Sequence, residues 1–319
     1  MHWTHFEEPA TIFALAAQPN GKCLAATEQG LWQLNTPPPP TGTFRLKGGQ
    51  AHSPSGGTSS ERSAGEVRGD WIQIAPQFAQ VPLSSVAAHG DTICIGASGD
   101  IAVSRDAGNT WALATLPVKA HILALALSPA FDQDHIGLAA TAQDGVLRTA
   151  DGGATWHAWN YGLLDLTINA IALSPDFAND ATCFAATDHG VFTSSNGGRA
   201  WTELPIGMEH GPFTSASVVE TRSLRDVPRI ASLQIGTEGN GLWMAKEPFD
   251  TWQPTKGIRA DEINYLLPNI TATTKGVFVA EGRKWTKSLD EGDGVCLAQL
   301  DDGMLIVGTA GNGLWHGHN

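Results

Sequence analysis

The chain has 319 residues, only 16% of which are charged, and its formal net charge at pH 7 is −13. This negative charge argues against duplex nucleic acid and anionic membranes as partners, and it favours a basic protein surface or a cationic ligand. The sequence contains no apolar run of the roughly eighteen residues that a membrane-spanning helix needs. Residues 1–5 lack the basic start and the apolar centre of a signal peptide.

Four short apolar runs, separated by turns rich in Gly, Asp and Asn, recur as a unit along the chain. In the two clearest units, residues 122–129 match residues 168–175, and the units end in Trp156 and Trp201. Strands that follow one another through short turns predict a four-stranded antiparallel meander for each unit.

The repeat can be counted from two of its features. A motif of small residues ends the predicted second strand at Thr27, Ser98, Thr141, Thr187, Thr237, Thr274 and Thr309. A tryptophan marks the predicted fourth strand at Trp71, Trp111, Trp156, Trp201, Trp252, Trp285 and, at the start of the chain, Trp3. The last unit lacks a fourth strand, and residues 2–6 have no unit before them. We therefore predict an all-β fold, a seven-bladed β-propeller of four-stranded blades in which the N-terminal strand completes the last blade.

Residues 36–70 interrupt the first unit between its third and fourth strands. They include four consecutive prolines at positions 37–40 and a stretch rich in Gly and Ser. Because such a composition cannot bury a core, we predict a flexible insertion within a single domain of residues 1–319. It is read either as a tolerated loop or as a pre-extended docking arm.

Three cysteines, Cys23, Cys94 and Cys183, occupy the same position of the repeat. Equivalent positions in different blades are too far apart for a disulfide bond, which needs Cα atoms within about 7 Å. We therefore predict buried, reduced thiols, which favour a cytoplasmic protein, with a removed signal peptide left open.

Three predicted turns between third and fourth strands carry a common motif. Its residues are Ser104, Asp106, Gly108 and Trp111, then Thr149, Asp151, Gly153 and Trp156, then Ser194, Asn196, Gly198 and Trp201. On these motifs the chain resembles the Asp-box (BNR-like) propellers, which include sialidases, sortilin-type receptors and photosystem II stability- and assembly-factor-like proteins. The Asp or Asn side chain accepts backbone N–H bonds within the turn, and the resemblance implies that these turns lie opposite the usual ligand face. We expect these residues to be structural.

The resemblance includes one class of enzyme, the sialidase-like glycosidases. It implies that their chemistry needs three converging arginines, a Tyr nucleophile with a Glu partner, and an Asp acid/base. Tyr265 beside Glu262 is the one pair of this kind, and a core tyrosine is the preferred interpretation. We predict no catalytic residue, while a glycosidase that uses two carboxylates stays open.

Metal and cofactor sites are not predicted. Four histidines, His2, His5, His316 and His318, would lie near one another across the closing blade, but they lack a Cys or Asp ligand at fixed spacing. No glycine-rich turn precedes both a Lys-Ser/Thr pair and a helix, so no phosphate-binding loop is present.

The turns that follow the second strands carry carboxylates on five of the seven units, namely Glu28, Asp100, Asp144, Asp188 and Glu238. We expect an acidic ring around the mouth of the central channel, suited to a basic peptide or a Lys/Arg-rich protein surface. The alternative is that tight turns simply favour Asp and Glu.

Apolar residues in the links between units are predicted on the same face. They are Tyr161, Leu163 and Leu164 after the third unit, and Ile206, Met208 and Phe213 after the fourth. They either form a protein interface or close the ends of the sheets.

The sequence thus predicts a cytoplasmic, non-catalytic propeller that binds another protein as a scaffold, adaptor or assembly factor. The alternative is a glycan-binding or glycoside-hydrolase-like propeller. A third interpretation is a sensor subunit of a larger assembly that uses residues 36–70 as its contact.

Overall fold

The computed structural model describes residues 2–6, 11–18, 21–35, 70–207, 212–222, 227–258, 262–282, 284–290 and 294–318. These residues form seven four-stranded antiparallel sheets, each of which is one blade of a β-propeller. The predicted fold class is confirmed. No helix in the described part of the chain is long and apolar enough to cross a membrane.

The first strand of each blade lies at the central channel, and the next three follow outward. The chain begins with β1 (His2–Phe6), which belongs to blade 7. Blade 1 contains β2 (Ile12–Gln18), β3 (Lys22–Thr27), β4 (Gly30–Asn35) and β5 (Asp70–Ile74); blade 2 contains β6 (Leu83–His89), β7 (Thr92–Ala97), β8 (Ile101–Ser104) and β9 (Ala112–Leu113). Blade 3 contains β10 (Ile122–Leu127), β11 (Gly137–Thr141), β12 (Val146–Thr149) and β13 (His157–Ala158); blade 4 contains β14 (Ile168–Leu173), β15 (Cys183–Thr187), β16 (Val191–Ser194) and β17 (Thr202–Glu203).

The remaining blades follow the same order. Blade 5 contains β18 (Phe213–Arg222), β19 (Pro228–Thr237), β20 (Leu242–Ala245) and β21 (Trp252–Pro254); blade 6 contains β22 (Ile263–Leu267), β23 (Ile270–Thr273), β24 (Gly276–Glu281) and β25 (Lys284–Leu289); blade 7 contains β26 (Gly294–Gln299), β27 (Leu305–Thr309), β28 (Leu314–His318) and β1. The described helical segments are a 3₁₀ turn at Pro76–Phe78 and two four-residue helices, α1 (Phe131–Asp134) and α2 (Phe177–Asp180).

The N-terminal strand closes the ring, as predicted. β1 pairs antiparallel with β28, and Trp3 lies opposite Gly317. A Cβ atom on Gly317 would lie 2.8 Å from the Trp3 ring, so the indole needs a glycine beneath it. Closure pairs the outer edge of β28, which would otherwise be free to pair with another chain.

In six of the seven blades, the opposing residues of the two innermost strands are both small where the blades converge. In blades 1, 3 and 4 two alanines face each other, as Ala14 and Ala26 do in blade 1. In blade 2 a serine faces a glycine, and a Cβ atom on Gly96 would lie 2.3 Å from Ser85 Oγ and 2.7 Å from Ile122 Cγ2 of the next blade. The same arrangement recurs in blade 5 and, with a cysteine, in blade 7. In these blades a glycine on the second strand leaves room for the serine or cysteine that lies opposite it on the first strand.

Seven apolar clusters form the core, one at each of the seven boundaries between blades. The four cysteines, Cys23, Cys94, Cys183 and Cys296, are free and lie buried in these clusters. Burial raises the pKa of Cys94 and of Cys183 to about 12, so both thiols stay protonated and behave as small apolar groups.

Two positions of the predicted repeat are shifted by one residue. Thr273 rather than Thr274 ends the second strand of blade 6, and Ala97 rather than Ser98 ends that of blade 2. The threonine is used for its hydroxyl, since Thr273 Oγ1 donates a 2.8 Å hydrogen bond to the carbonyl of Gly276 across the turn.

The predicted insertion at residues 36–70 lies outside the described residues except for Asp70, which begins β5. The assignment of residues 1–319 to a single domain stays a prediction.

Candidate functional site

The turn between β8 and β9 is closed by a carboxylate. Asp106 accepts hydrogen bonds from the backbone N–H of Thr110 and the hydroxyl of Ser104, both at 2.8 Å. The hydrogen bonds from the hydroxyl and N–H of Thr110 are the main reason that the pKa of Asp106 lies below its usual value. Gly108 has a φ of +91°, which favours glycine, and its carbonyl accepts a 3.0 Å bond from Trp111 Nε1.

Blades 3 and 4 repeat this turn. Asp151 accepts bonds from the Thr155 N–H at 2.9 Å and the Thr149 hydroxyl at 2.8 Å. Burial acts to raise the pKa of Asp151, but these bonds outweigh it and lower the pKa to about 2. In blade 4, Asn196 Oδ1 accepts a 2.9 Å bond from the N–H of Ala200. The other predicted residues of these two turns are buried at the matching positions, namely Gly153, Trp156, Ser194, Gly198 and Trp201.

These turns define one face of the propeller, here called the box face. The N–H of Ala107 donates a 2.9 Å bond to the carbonyl of Asp91, in the turn that joins the first and second strands of the same blade. Matching bonds join Gly152 to His135 and Gly197 to Ala181. The turns between second and third strands, and the starts of the inner strands, lie at the opposite face, here called the mouth face. The predicted carboxylates are therefore on the other side from the box turns.

Two arginines, whose role the sequence did not reveal, tie neighbouring box turns together. Arg105 Nη2 of blade 2 donates a 2.9 Å bond to the carbonyl of Gly152 in blade 3. Arg148 Nε of blade 3 donates a 2.8 Å bond to the carbonyl of Gly197 in blade 4. Arg148 is buried, and burial lowers the pKa of its guanidinium. The box face is thus an interlocked structural rim over blades 2 to 4.

Every inner strand carries a β-bulge at its mouth end. The register shifts at the second residue of each strand, and the seven bulged residues are Phe13, Ser84, Leu123, Asn169, Thr214, Asn264 and Val295. A bulge leaves one residue outside the ladder and redirects its side chain. The propeller therefore presents a ring of seven bulged side chains around the channel mouth.

The four polar members of this ring are used to join blades. Asn264 Nδ2 donates a 2.8 Å bond to the carbonyl of Gly294, the first residue of the next inner strand. Ser84, Asn169 and Thr214 donate in the same way to the first residues of the inner strands of blades 3, 5 and 6. Three apolar members remain, Phe13, Leu123 and Val295, and Phe13 is 44% exposed.

The channel holds a cavity of about 230 Å³ at this ring. All seven inner strands contribute to its wall, which includes Phe13, Leu123, Val295 and Tyr265. Burial raises the pKa of Tyr265 to about 12, which is opposite to what a tyrosine nucleophile requires. The wall of the channel mouth combines apolar side chains with the polar bulged residues Asn169, Thr214 and Asn264.

An open recess of about 430 Å³ adjoins this cavity over blades 4 and 5. It is lined by Leu123, Asn169, Asp188, Pro212, Thr214 and Glu238, three of which also line the channel cavity. Asn169 Nδ2 donates a 2.9 Å bond to Asp188 Oδ1 and thereby orients the carboxylate. Within the part of the chain that the structure describes, no lysine or arginine forms an ion pair with Asp188 or Glu238.

The other three predicted carboxylates differ from these two. Asp100 forms an ion pair with Lys119 at 2.6 Å, so its charge is already compensated. Glu28 is exposed and Asp144 is half-buried, and neither lines the recess. The structure brings together only Asp188 and Glu238.

The predicted link residues separate into three groups. Tyr161 is 82% exposed, but its carbonyl accepts a bond from the N–H of Trp201, which places it beside the outer strand of blade 4 rather than at the channel. Leu163 packs against the core between blades 3 and 4. Phe213 is buried in the core between blades 4 and 5, so its side chain is not available to a partner. Met208 lies outside the described residues.

A second exposed apolar segment reaches the mouth face from the link between blades 3 and 4. Leu164 is 80% exposed and Leu166 is 40% exposed. Between them, Asp165 Oδ2 contacts His189 Nδ1 at 2.8 Å. Hydrogen bonding to Asp165 raises the pKa of His189, so this pair anchors the link to the turn beside Asp188.

The histidines of the closing blade make other contacts. His5 Nε2 lies 2.7 Å from the carbonyl oxygen of Asn312, and its ring stacks on Trp315 at 4.4 Å. The His316 ring contacts Phe6. Among the residues that the structure describes, no three His, Cys, Asp or Glu side chains are grouped so that they could bind a metal ion.

Solved structures share this fold at low sequence identity. The extracellular domain of the putative one component system BT4673 from B. thetaiotaomicron is 12% identical with a TM-score of 0.68, over 99% of this chain and 39% of that one. YCF48 bound to D1 peptide is 12% identical with a TM-score of 0.65, over 100% and 94%. An ancestral GH74 enzyme is 14% identical with a TM-score of 0.67, over 99% and 46%. The likeness establishes the fold alone, and this chain spans less than half the length of the first and third structures. No family model and no curated protein matches the chain.

Proposed function

We propose that the chain is a non-catalytic, protein-binding propeller that acts as a scaffold, adaptor or assembly factor. Its binding surface is the mouth face, and its box turns belong to the rim that an Asp-box propeller uses for stability. The free, buried cysteines support a reducing compartment such as the cytoplasm.

The observation that carries this proposal is the recess lined by Asp188 and Glu238. Asp188 and Glu238 form no ion pair with a lysine or arginine among the described residues, so they attract a positively charged partner, and the formal net charge of −13 extends that attraction beyond contact distance. A lysine- or arginine-bearing segment of another protein therefore suits this face. The solved YCF48 structure with a bound D1 peptide supports peptide binding as a use of this fold.

A glycan-binding or glycoside-hydrolase-like propeller is the alternative. It is supported by the presence of two carboxylates, Asp188 and Glu238, in one recess, and by the similarity in fold to a GH74 enzyme. Glycosidases of the two-carboxylate type need their carboxyl groups roughly 5–9.5 Å apart on either side of the scissile bond.

The test is affinity capture from an extract of the native cell at low and high salt, with three baits. The first is the wild-type chain, and the second is Asp188→Asn/Glu238→Gln. The third is Asp91→Asn/Asp301→Asn, which makes the same change in net charge in turns of the box face. We expect the wild type and the third bait to retain one stoichiometric protein, and the second bait or high salt to lose it. Equal retention by all three baits would contradict the mouth-face proposal, and a wild-type bait without partner would favour the glycan alternative.

A further inference from the structure

We infer that the channel mouth and the recess beside it form one two-part site for an extended segment of a partner protein. The segment carries a bulky apolar side chain within two positions of a lysine or arginine. This inference rests on the proposed function and specifies the chemistry of the partner.

The apolar part of the site is the half-exposed Phe13 with Leu123 and Val295. These three bulged residues make no side-chain hydrogen bond to the next blade, and all three line the cavity at the channel mouth, although Leu123 and Val295 also pack partly against the core. The cavity of about 230 Å³ lies below the roughly 300–1,000 Å³ of a pocket that encloses a drug-sized ligand. It therefore fits a single side chain from a larger partner.

The cationic part is the recess with Asp188 and Glu238, which come from the second-to-third-strand turns of neighbouring blades. Asn169 donates to one oxygen of Asp188 and also to the carbonyl of Phe213, so the carboxylate is held before a ligand arrives. Its second oxygen is available to an ammonium or guanidinium group. A group that is already ordered loses less side-chain entropy on binding, which favours affinity.

The two parts are continuous, because Leu123, Asn169 and Thr214 line both of them. An extended chain advances about 3.3 Å per residue and turns successive side chains to opposite sides. An apolar and a cationic side chain can therefore enter neighbouring parts of the site only if they are close in sequence.

The probe is a phage-displayed library of random linear peptides, selected against the full-length chain at neutral pH. We expect enriched peptides to share a lysine or arginine within two positions of Leu, Ile, Met, Phe or Trp. Binding of a synthetic copy should weaken about tenfold with Asp188→Asn or Glu238→Gln, because each change removes one charged contact. Phe13→Ser should weaken it by a similar factor through lost apolar contact.

Asp144→Asn is the matched control, since it changes an equivalent turn residue that does not line the recess, and it should alter affinity by less than about twofold. Melting temperatures of all variants are compared first. If Phe13→Ser folds poorly, the comparison of Glu238→Gln, at an exposed position, with Asp144→Asn, at a half-buried one, still tests the site. Enriched peptides without this pattern, or peptides whose binding ignores Asp188 and Glu238, would overturn the two-part site. If the binding of the enriched peptides instead responds to substitutions of other mouth-face residues, the proposed protein-binding function stands and the two-part site does not. If no peptide is enriched, the result counts against both the two-part site and the protein-binding function.

Discussion

Trp3 Nε1 donates a 2.8 Å hydrogen bond to the carbonyl oxygen of Ser288, a residue 285 positions further along the chain. Trp3 belongs to β1 and therefore to blade 7, whereas Ser288 lies in β25, the outer strand of blade 6. The same indole packs in the cluster between these two blades. The N-terminal strand thus holds the last blade to its neighbour as well as completing its sheet.

Deletion of residues 1–8 is expected to destabilise the whole ring, because it exposes the edge of β28 and opens the cluster between blades 6 and 7. Trp3→Ala should lower the free energy of unfolding by about 2 kcal/mol, since the indole is only partly buried. Thr4→Ala, on the exposed side of the same strand, should have almost no effect. Thermal unfolding of the three variants measures this, and a truncated chain that melts at the full-length temperature would refute closure.

The two arginines of the box face are expected to differ in their contribution to stability. Arg148→Ala should cost about 2–3 kcal/mol, because it removes a buried side chain and leaves the carbonyl of Gly197 without its donor. Arg105→Ala should cost less than about 1 kcal/mol, since Arg105 is exposed and solvent can replace its bond to Gly152. Urea unfolding measures the loss of unfolding free energy in each variant. Equal losses would show that burial of the arginine does not determine how much its hydrogen bond to the next box turn contributes to stability.

The Asp151 turn is expected to make stability depend on pH in the acid range. The pKa of Asp151 is lowered from 3.8 to about 2 in the folded chain, so its contribution is present above 3.8 and is lost as the pH falls through 2. Because Asp151 is exposed, solvent screening reduces this contribution to about 1 kcal/mol. Asp151→Asn should be less stable than wild type by that amount above pH 4 and equal to it below pH 2. Urea unfolding at several pH values tests this, and parallel curves across the range would be inconsistent with it.

The contact between Asp165 and His189 is expected to appear in the titration of the imidazole. Its pKa is raised above the ordinary value of 6.5 by the hydrogen bond to Asp165. The stabilisation is therefore complete below 6.5 and is lost as the pH rises through the raised pKa. An NMR titration should give a midpoint above 6.5 in the wild type and a lower one in Asp165→Asn. An unchanged midpoint would mean that the pair does not anchor the link.

The fold could be predicted because its repeat is visible in local chemistry. Each blade needs a hydroxyl or a small residue at the end of its second strand and an aromatic anchor in its fourth, and both are periodic in the sequence. The prediction shifted by one residue at Thr273 and Ala97. Thr273 is followed directly by a second threonine, and Ala97 stands where other blades have a threonine. Only the pairing with the first strand therefore reveals which residue is equivalent to the threonines of the other blades.

The candidate site could be predicted only in part. The position of the carboxylates after the second strands is enough to assign them to the turns of the mouth face, but the pairing of Asp100 with Lys119 joins two separate turns and has no sequence signal. The burial of Phe213 arises from packing between blades. The ring of bulges was missed because a bulge changes the register of pairing without changing the alternation of residue types.

The most direct test of mouth-face binding is hydrogen–deuterium exchange of the full-length chain with and without its captured protein partner. We expect slower exchange in the turns around Asp188 and Glu238 and in the segment around Leu164. We expect no change in the box turns around Asp106, Asp151 and Asn196. Protection centred on the box turns, with unchanged exchange at Asp188 and Glu238, would contradict binding at the mouth face.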